Sequence, residues 1–187
     1  DFVKLAKDIL DLAVANKCKT LDEVKALPMG KATVADAVVD RSGITGEKME
    51  LDGYMVIEGE DIAVYNHQNK NHLYMVALNK KVAEEFGHAV AMQIAAMNPR
   101  SIDESDYPAD VLAKEKEIAA DKARQEGKPE NMIEKIATGR LNKLFKEECL
   151  LKQAFIQNDK ISVADYLKGA DKDCTVTAFK RFTLRAE

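Results

Sequence analysis

The 187 residues hold little of what most enzyme and metal chemistry is built from: three histidines and three cysteines. Cys18, Cys149 and Cys174 are widely spaced and odd in number, which argues against a disulfide framework and for a reducing, cytoplasmic setting. Of the histidines His67, His72 and His88, the first two flank a loop and neither has a His or Cys at the tight spacing of a metal site, so they read as loop-surface histidines. No phosphate-binding glycine loop, dinucleotide fingerprint, nucleophile elbow or HExxH occurs, and neither catalytic residues nor a cofactor or metal is expected. Charge of one sign is missing too: 28 Lys and Arg stand against 32 Asp and Glu, a net of -4, which excludes a broad basic footprint for nucleic acid. No apolar run approaches the ~20 residues of a membrane span, and no signal peptide is visible. A leading methionine is also lacking. The chain opens on Asp1, straight into sequence that looks internal, so a fragment of a longer protein is expected.

What is present is 46% hydrophobic and 32% charged, enough for one large or two small globular domains. Its centre is the stretch 81–99, KVAEEFGHAVAMQIAAMNP. Val82, Phe86, Ala89, Val90, Ile94 and Met97 recur at helical steps, with Glu84, Glu85 and His88 on the other face. The half reading AVAMQIAAM is apolar nearly all round and is expected to be covered on several sides. Gly87, Ala89 and Ala91 leave room for another element to approach, and Asn98-Pro99 stops the helix.

Around that helix the order is legible. An amphipathic helix is expected over 3–16, with Leu5, Ile9, Leu12 and Ala13 inward. Thr20 to Glu23 has the capping-box pattern of a short helix closed by Pro28. Thr33 to Asp36 starts a helix to about Ser42, with Gly43 suited to its end. Residues 47–58 alternate as a strand would, and Gly53 leaves room for a bulge. Residues 62–67 and 73–78 form a hairpin. A charged, alanine-rich helix over 109–125, its thin seam marked by Val111, Leu112, Ile118 and Ala119, meets a Gly127-Lys128-Pro129 turn. A second helix follows, faced by Met132, Ile133, Ile136, Leu141 and Leu144. With so few large apolar residues, this antiparallel helical hairpin is expected to project from its domain. Ser162 caps a short helix, and 175–184 reads as a closing strand.

Several motifs carry a resemblance. Asp1-Phe2-Val3 resembles the latter part of the Thr-Asp-Phe-Val motif of elongation factor Ts, the bacterial translation factor. The stretch 90–99, VAMQIAAMNP, is similar to that family's core-helix signature. So are 127–130 (GKPE), 133–136 (IEKI), 139–143 (GRLNK) and Cys149-Leu150-Leu151 with Gln153-Ala154-Phe155, in the family's order and spacing.

The resemblance implies an α+β fold: two subdomains with antiparallel sheets flanked by helices, plus a protruding antiparallel helical hairpin. The corresponding boundaries are 1–58 for an incomplete first subdomain, 59–107 with 149–187 for the second, and 108–148 for the hairpin. Family members also carry an N-terminal three-helix domain and a strand hairpin ahead of the Asp1 motif, neither of which is in this sequence. The implied activity is guanine-nucleotide exchange on elongation factor Tu, without covalent chemistry. By the same resemblance Asp1, Phe2 and Val3 face the GTPase domain, with Phe2 as a wedge. Gly46 matches a contact turn and His67 a loop histidine that contacts the partner. Ile156 and Gln157 match a strand-end patch facing the partner's third domain. Other readings stay open: a hydrolase or metal enzyme using His67 and nearby acids, and a non-catalytic scaffold with the hairpin as docking arm. With no hairpin to pair with it, the strand at 49–57 would either drive self-association or stay mobile.

Overall fold

Threonines start the short helices of the first sixty residues. The computed structural model describes residues 2–67 and 72–183. It divides into one compact unit up to Val56 and a second from Ile57 onward. In the first, α1 (Phe2–Ala15) buries Ile9 and Ala13, with Leu5 and Leu12 half-buried, the inward face expected from spacing. It ends with Lys17 in the left-handed region at φ 53°. The Cys18 N–H reaches back to the Ala13 carbonyl and the Lys17 N–H to that of Val14, both at 3.1 Å, which is the Schellman arrangement. Helix α2 (Leu21–Lys25) is capped by the Thr20 hydroxyl, which accepts from the Glu23 N–H at 3.2 Å. The return arm of the expected box lands one residue early, with Glu23 Oε2 accepting from the Lys19 N–H at 2.8 Å. Strands β1 (Pro28–Met29) and β2 (Ala32–Thr33) make a two-rung ladder.

Helix α3 (Val34–Thr45) begins at Thr33 in a complete capping box with Asp36. It does not stop at Ser42. Gly43 lies inside it, and Gly46 at φ 73° takes the left-handed position and donates to the Ser42 carbonyl at 3.0 Å. The expected strand at 47–58 is corrected as well: residues 48–59 have no ladder partner among the described residues. The two short strands of this unit pair with each other, and residues 48–59 join neither of them. The stretch packs through side chains instead, Met49, Leu51 and Tyr54 closing on a core of Ile9, Ala13, Cys18, Val24, Val34 and Val38. Hydrogen bonds hold it as well: Met49 N–H donates to Ser42 Oγ at 2.9 Å, Ser42 Oγ lies 3.3 Å from the Met49 carbonyl, and Tyr54 Oη donates to the Cys18 carbonyl at 2.8 Å.

The second unit is built on an antiparallel sheet ordered β3 (Asp61–Asn66), β4 (His72–Leu78) and β7 (Val176–Thr183). Helix α4 (Glu84–Met97) lies on it. It starts three residues later than the periodicity suggests, for the Val82 N–H is taken by Asp61 Oδ2 at 3.2 Å. Gly87 is where helix and sheet come closest: a Cβ there would stand 2.7 Å from that of Ala63, so only glycine fits. Gly87, Ala89, Val90, Ala91, Gln93 and Ile94 are buried. The last turn departs from expectation, Ala96 and Met97 being exposed past the covered length of the helix. Asn98 ends it at φ 44°, ahead of Pro99.

Between α4 and the rest of this unit come α5 (Ala109–Gln125) and α6 (Glu130–Glu148). Gly127 at φ 75° joins them: its N–H reaches Arg124 O and that of Lys128 reaches Ala123 O, a second Schellman closure. Ala119 and Ala123 of α5 and Ile133 and Ala137 of α6 are buried, whereas Ile118 and Met132, expected in the seam, are about half exposed. Near the start of α5, Tyr107, Val111 and Leu112 cluster with Phe145 and Cys149 from the end of α6. A hairpin of β5 (Ala154–Phe155) and β6 (Asn158–Ser162), absent from the sequence reading, precedes α7 (Val163–Lys168), which Ser162 caps as expected.

Candidate functional site

In the first unit the candidate residues stand at the start of α1 and the end of α3. Asp1 lies outside the described residues. Phe2 is 61% exposed and Val3 71%, in the opening turn of α1, where a helix would normally bury or omit such side chains. The exposed apolar stripe continues through Leu10 and Val14. Lys4, Leu5 and Asp8 of α1 share a groove of about 280 Å³ with Ala37, Asp40, Arg41 and Ile44 of α3. Ile44 is 75% exposed, and the chain turns away two residues later at Gly46. Phe2, Val3 and Gly46 therefore sit on two helices that line one groove.

In the second unit His67 follows β3 and closes the strand pair, its N–H donating to the His72 carbonyl at 3.1 Å. Its Nδ1 lies 3.3 Å from Tyr65 Oη. His88 of α4 packs edge-on against the same Tyr65, and His72 stacks on Tyr74. The histidines thus collect around two neighbouring tyrosines, an arrangement that sequence separation hides. Ile156 and Gln157 form the two-residue turn between β5 and β6, because Phe155 pairs with Asn158. Ile156 is 40% exposed, and its N–H donates to Gln93 Oε1 at 2.8 Å. His67 and Ile156 thus hang on different anchors, one on the sheet and one on α4.

The remaining polar chemistry supports the scaffold. Burial pushes the Cys149 and Cys174 thiols up, which makes them poor nucleophiles. Burial, and then its hydrogen bond to Glu148, pushes Tyr107 up to about 12. Lys80 is raised by its bond to Asp171, a loop tie between β4 and β7. Among the described residues no group of three His, Cys, Asp or Glu could hold a metal ion.

Sequence reasoning passed over the buried amides of Gln93 and Gln153. The signal was a single polar residue in the middle of AVAMQIAAM.

Comparison with known sequences decides the family. The profile of the family described as Elongation factor TS matches residues 1–186. The chain belongs to the elongation factor Ts family. Among its curated relatives, each called elongation factor Ts, the Bacteroides fragilis protein is 48% identical over 244 positions, covering all of this chain and 74% of the relative. The Bacteroides thetaiotaomicron protein is 47% identical with the same coverage. The Porphyromonas gingivalis protein is 39% identical over 188 positions, covering all of this chain and 69% of itself. The stretch 90–99, which resembles the family's core-helix signature, holds the buried Val90, Ala91, Gln93 and Ile94, the exposed last turn of α4 and its Asn98-Pro99 stop.

Proposed function

We propose that this chain acts on elongation factor Tu as a guanine-nucleotide exchange factor in translation elongation. The observation that carries the reading is Phe2: an aromatic side chain held out to solvent on the first turn of a capped, packed helix, within the family's signature motif. The mechanism is differential binding. A factor that binds the nucleotide-free state of a GTPase more tightly than the nucleotide-bound state must, by reciprocity, weaken the nucleotide. Asp1, Phe2, Val3 and Gly46 present the first surface, toward the GTPase domain, with Phe2 displacing partner side chains near the phosphate and magnesium site. His67, Ile156 and Gln157 present the second. No bond is made or broken, so the factor is not an enzyme in the covalent sense, and it uses no cofactor. Its setting is the cytoplasm, with no role for nucleic acid or a membrane.

Residues 1–58, 59–107 with 149–187, and 108–148 serve as first subdomain, second subdomain and a projecting helical hairpin. A second reading, a non-catalytic scaffold docking through that arm, draws on the exposed Ile118 and Met132 of α5 and α6. Fluorescent-GDP release separates them. Faster release on adding this chain to elongation factor Tu supports exchange. Binding with an unchanged release rate supports the scaffold.

A further inference from the structure

Gln93 and Gln153 have no exposed surface at all, an unusual condition for glutamine. Each hydrogen-bonding group of the pair is nevertheless used. Gln93 Nε2 donates to Gln153 Oε1 at 3.2 Å and to the Ala154 carbonyl at 3.1 Å, while its Oε1 accepts from the Ile156 N–H at 2.8 Å. Gln153 Nε2 donates onward to the Glu147 carbonyl at 2.9 Å, in the last turn of α6. Four hydrogen bonds meet on these two side chains and tie them to three backbone groups, those of Glu147, Ala154 and Ile156. A buried amide network in which every amide nitrogen and oxygen is engaged fixes geometry in a way that an apolar contact of the same volume does not.

We propose that Gln93 and Gln153 are positioning residues for the partner-binding surface. Together they clamp the β5–β6 turn bearing Ile156 and Gln157, and the root of α6, onto the core helix α4 in one fixed relation. The assignment rests on the exchange-factor reading, because Ile156 and Gln157 matter as a pair only if a partner meets them. Gln93 grips the turn through its backbone, so the Ile156 side chain is left free for contact. Gln153 ties the same point to the end of the α6 helix. A displacement at either end is carried to the other through three consecutive hydrogen bonds.

Two substitutions at one position test this. Gln93→Met keeps the volume but removes the acceptor for the Ile156 N–H. Gln93→Glu keeps an oxygen there. Both are expected to lower the melting temperature. Only the methionine variant is expected to speed Ile156 amide exchange in the free chain, by about tenfold or more, and to weaken binding to elongation factor Tu by a similar factor. The glutamate variant loses the donors to Gln153 and Ala154 but keeps the oxygen for the Ile156 N–H, so it should hold Ile156 protected and bind more tightly than the methionine variant. Loss of affinity in step with melting temperature in both variants would reduce the pair to ordinary core, and so would unchanged Ile156 protection in Gln93→Met. Should that variant not fold, Gln153→Met leaves the Ile156 bond in place and unties Glu147. Lost protection at the end of α6 then carries the proposal, and unchanged protection there overturns it. If the unmodified chain does not bind elongation factor Tu, the exchange reading falls, and the clamp is judged on amide exchange alone.

Discussion

Helices α1 and α4 are each 14 residues long, yet they are used in opposite ways. Helix α4 lies on a three-stranded sheet, buries six residues and leaves Met97 as its one large exposed apolar side chain. Helix α1 has no such sheet in its unit, buries two residues and exposes Phe2, Val3, Leu10 and Val14. One side of α1 is packed and the other is open to solvent. The lesson is that apolar periodicity states how many faces of a helix need covering and is silent on what covers them. In α4 the covering is intramolecular. In α1 part of the apolar surface stays open to solvent.

The largest effect should separate the two helices by stability. Ile94→Ala removes a side chain that is 2% exposed from the packed sheet–helix layer and should cost about 3 kcal/mol in denaturant unfolding. Leu10→Ala, at a position 54% exposed, should cost less than about 1 kcal/mol. Equal losses would show that α1 is as deeply packed as α4 and would end the comparison.

Next is function without stability. Phe2→Ala should leave the unfolding curve nearly unmoved, since the ring is mostly in solvent. It should slow stimulated GDP release by a factor of roughly thirty, the equivalent of the ~2 kcal/mol that a buried interface aromatic commonly supplies. An unchanged release rate removes Phe2 from the mechanism.

A third test asks whether the second unit's core needs the outer parts of α5 and α6. Replacing 115–140 with a short linker spares Tyr107, Phe145 and Cys149, together with the Glu148 carbonyl that accepts from the Arg100 N–H at 2.8 Å. The melting temperature should then fall by only a few degrees, since the removed seam is mostly alanine. Cutting back to 108–148 should cost more, because it also strips Phe145 from Tyr107. The fourth test is amide exchange over 50–57, where the backbone lacks a ladder. Fast exchange is expected at low concentration, and protection that grows with concentration would reveal self-association through that stretch.

Most of this was readable before any coordinates, for reasons that differ by element. The strand pair at 61–78, the caps at Thr20, Thr33 and Ser162, and the Gly127 turn obey local rules, so spacing and turn chemistry sufficed. The strand expected at 47–58 failed because alternation describes the faces of a strand, while a strand exists only where a neighbour offers its edge. The β5–β6 turn was missed because two-rung ladders leave too short a pattern to see. The Gln93–Gln153 pair was missed for a different reason: residues sixty positions apart meet only in the folded chain. Of the site, exposure of Phe2, Val3 and Ile156 could not be read from sequence, since an apolar side chain is by default assigned to a core.

The smallest effect concerns two glycines that sequence could not tell apart. Gly43 looked like the end of α3 and Gly46 like a turn beyond it. In the structure Gly43 is helical interior with nothing within 4 Å of where a Cβ would stand, and Gly46 is the left-handed cap at φ 73°. A methyl group at Gly43 meets no neighbour and reduces the freedom of the unfolded chain, so Gly43→Ala should stabilise the first unit by about 0.5–1 kcal/mol. The same change at Gly46 forces an L side chain into the left-handed region and should cost about 1 kcal/mol, although open space surrounds it as well. The opposite signs arise from backbone conformation alone, because neither methyl group touches anything. If both variants moved the denaturant midpoint in the same direction, the α3 boundary at Thr45 would be wrong. The helix would then end at Ser42, as the sequence suggested. The two variants also sharpen the contrast between packing and contact surface: Gly43→Ala should leave GDP release unchanged, whereas Gly46→Ala, at a candidate contact turn, should slow it beyond what its loss of stability explains.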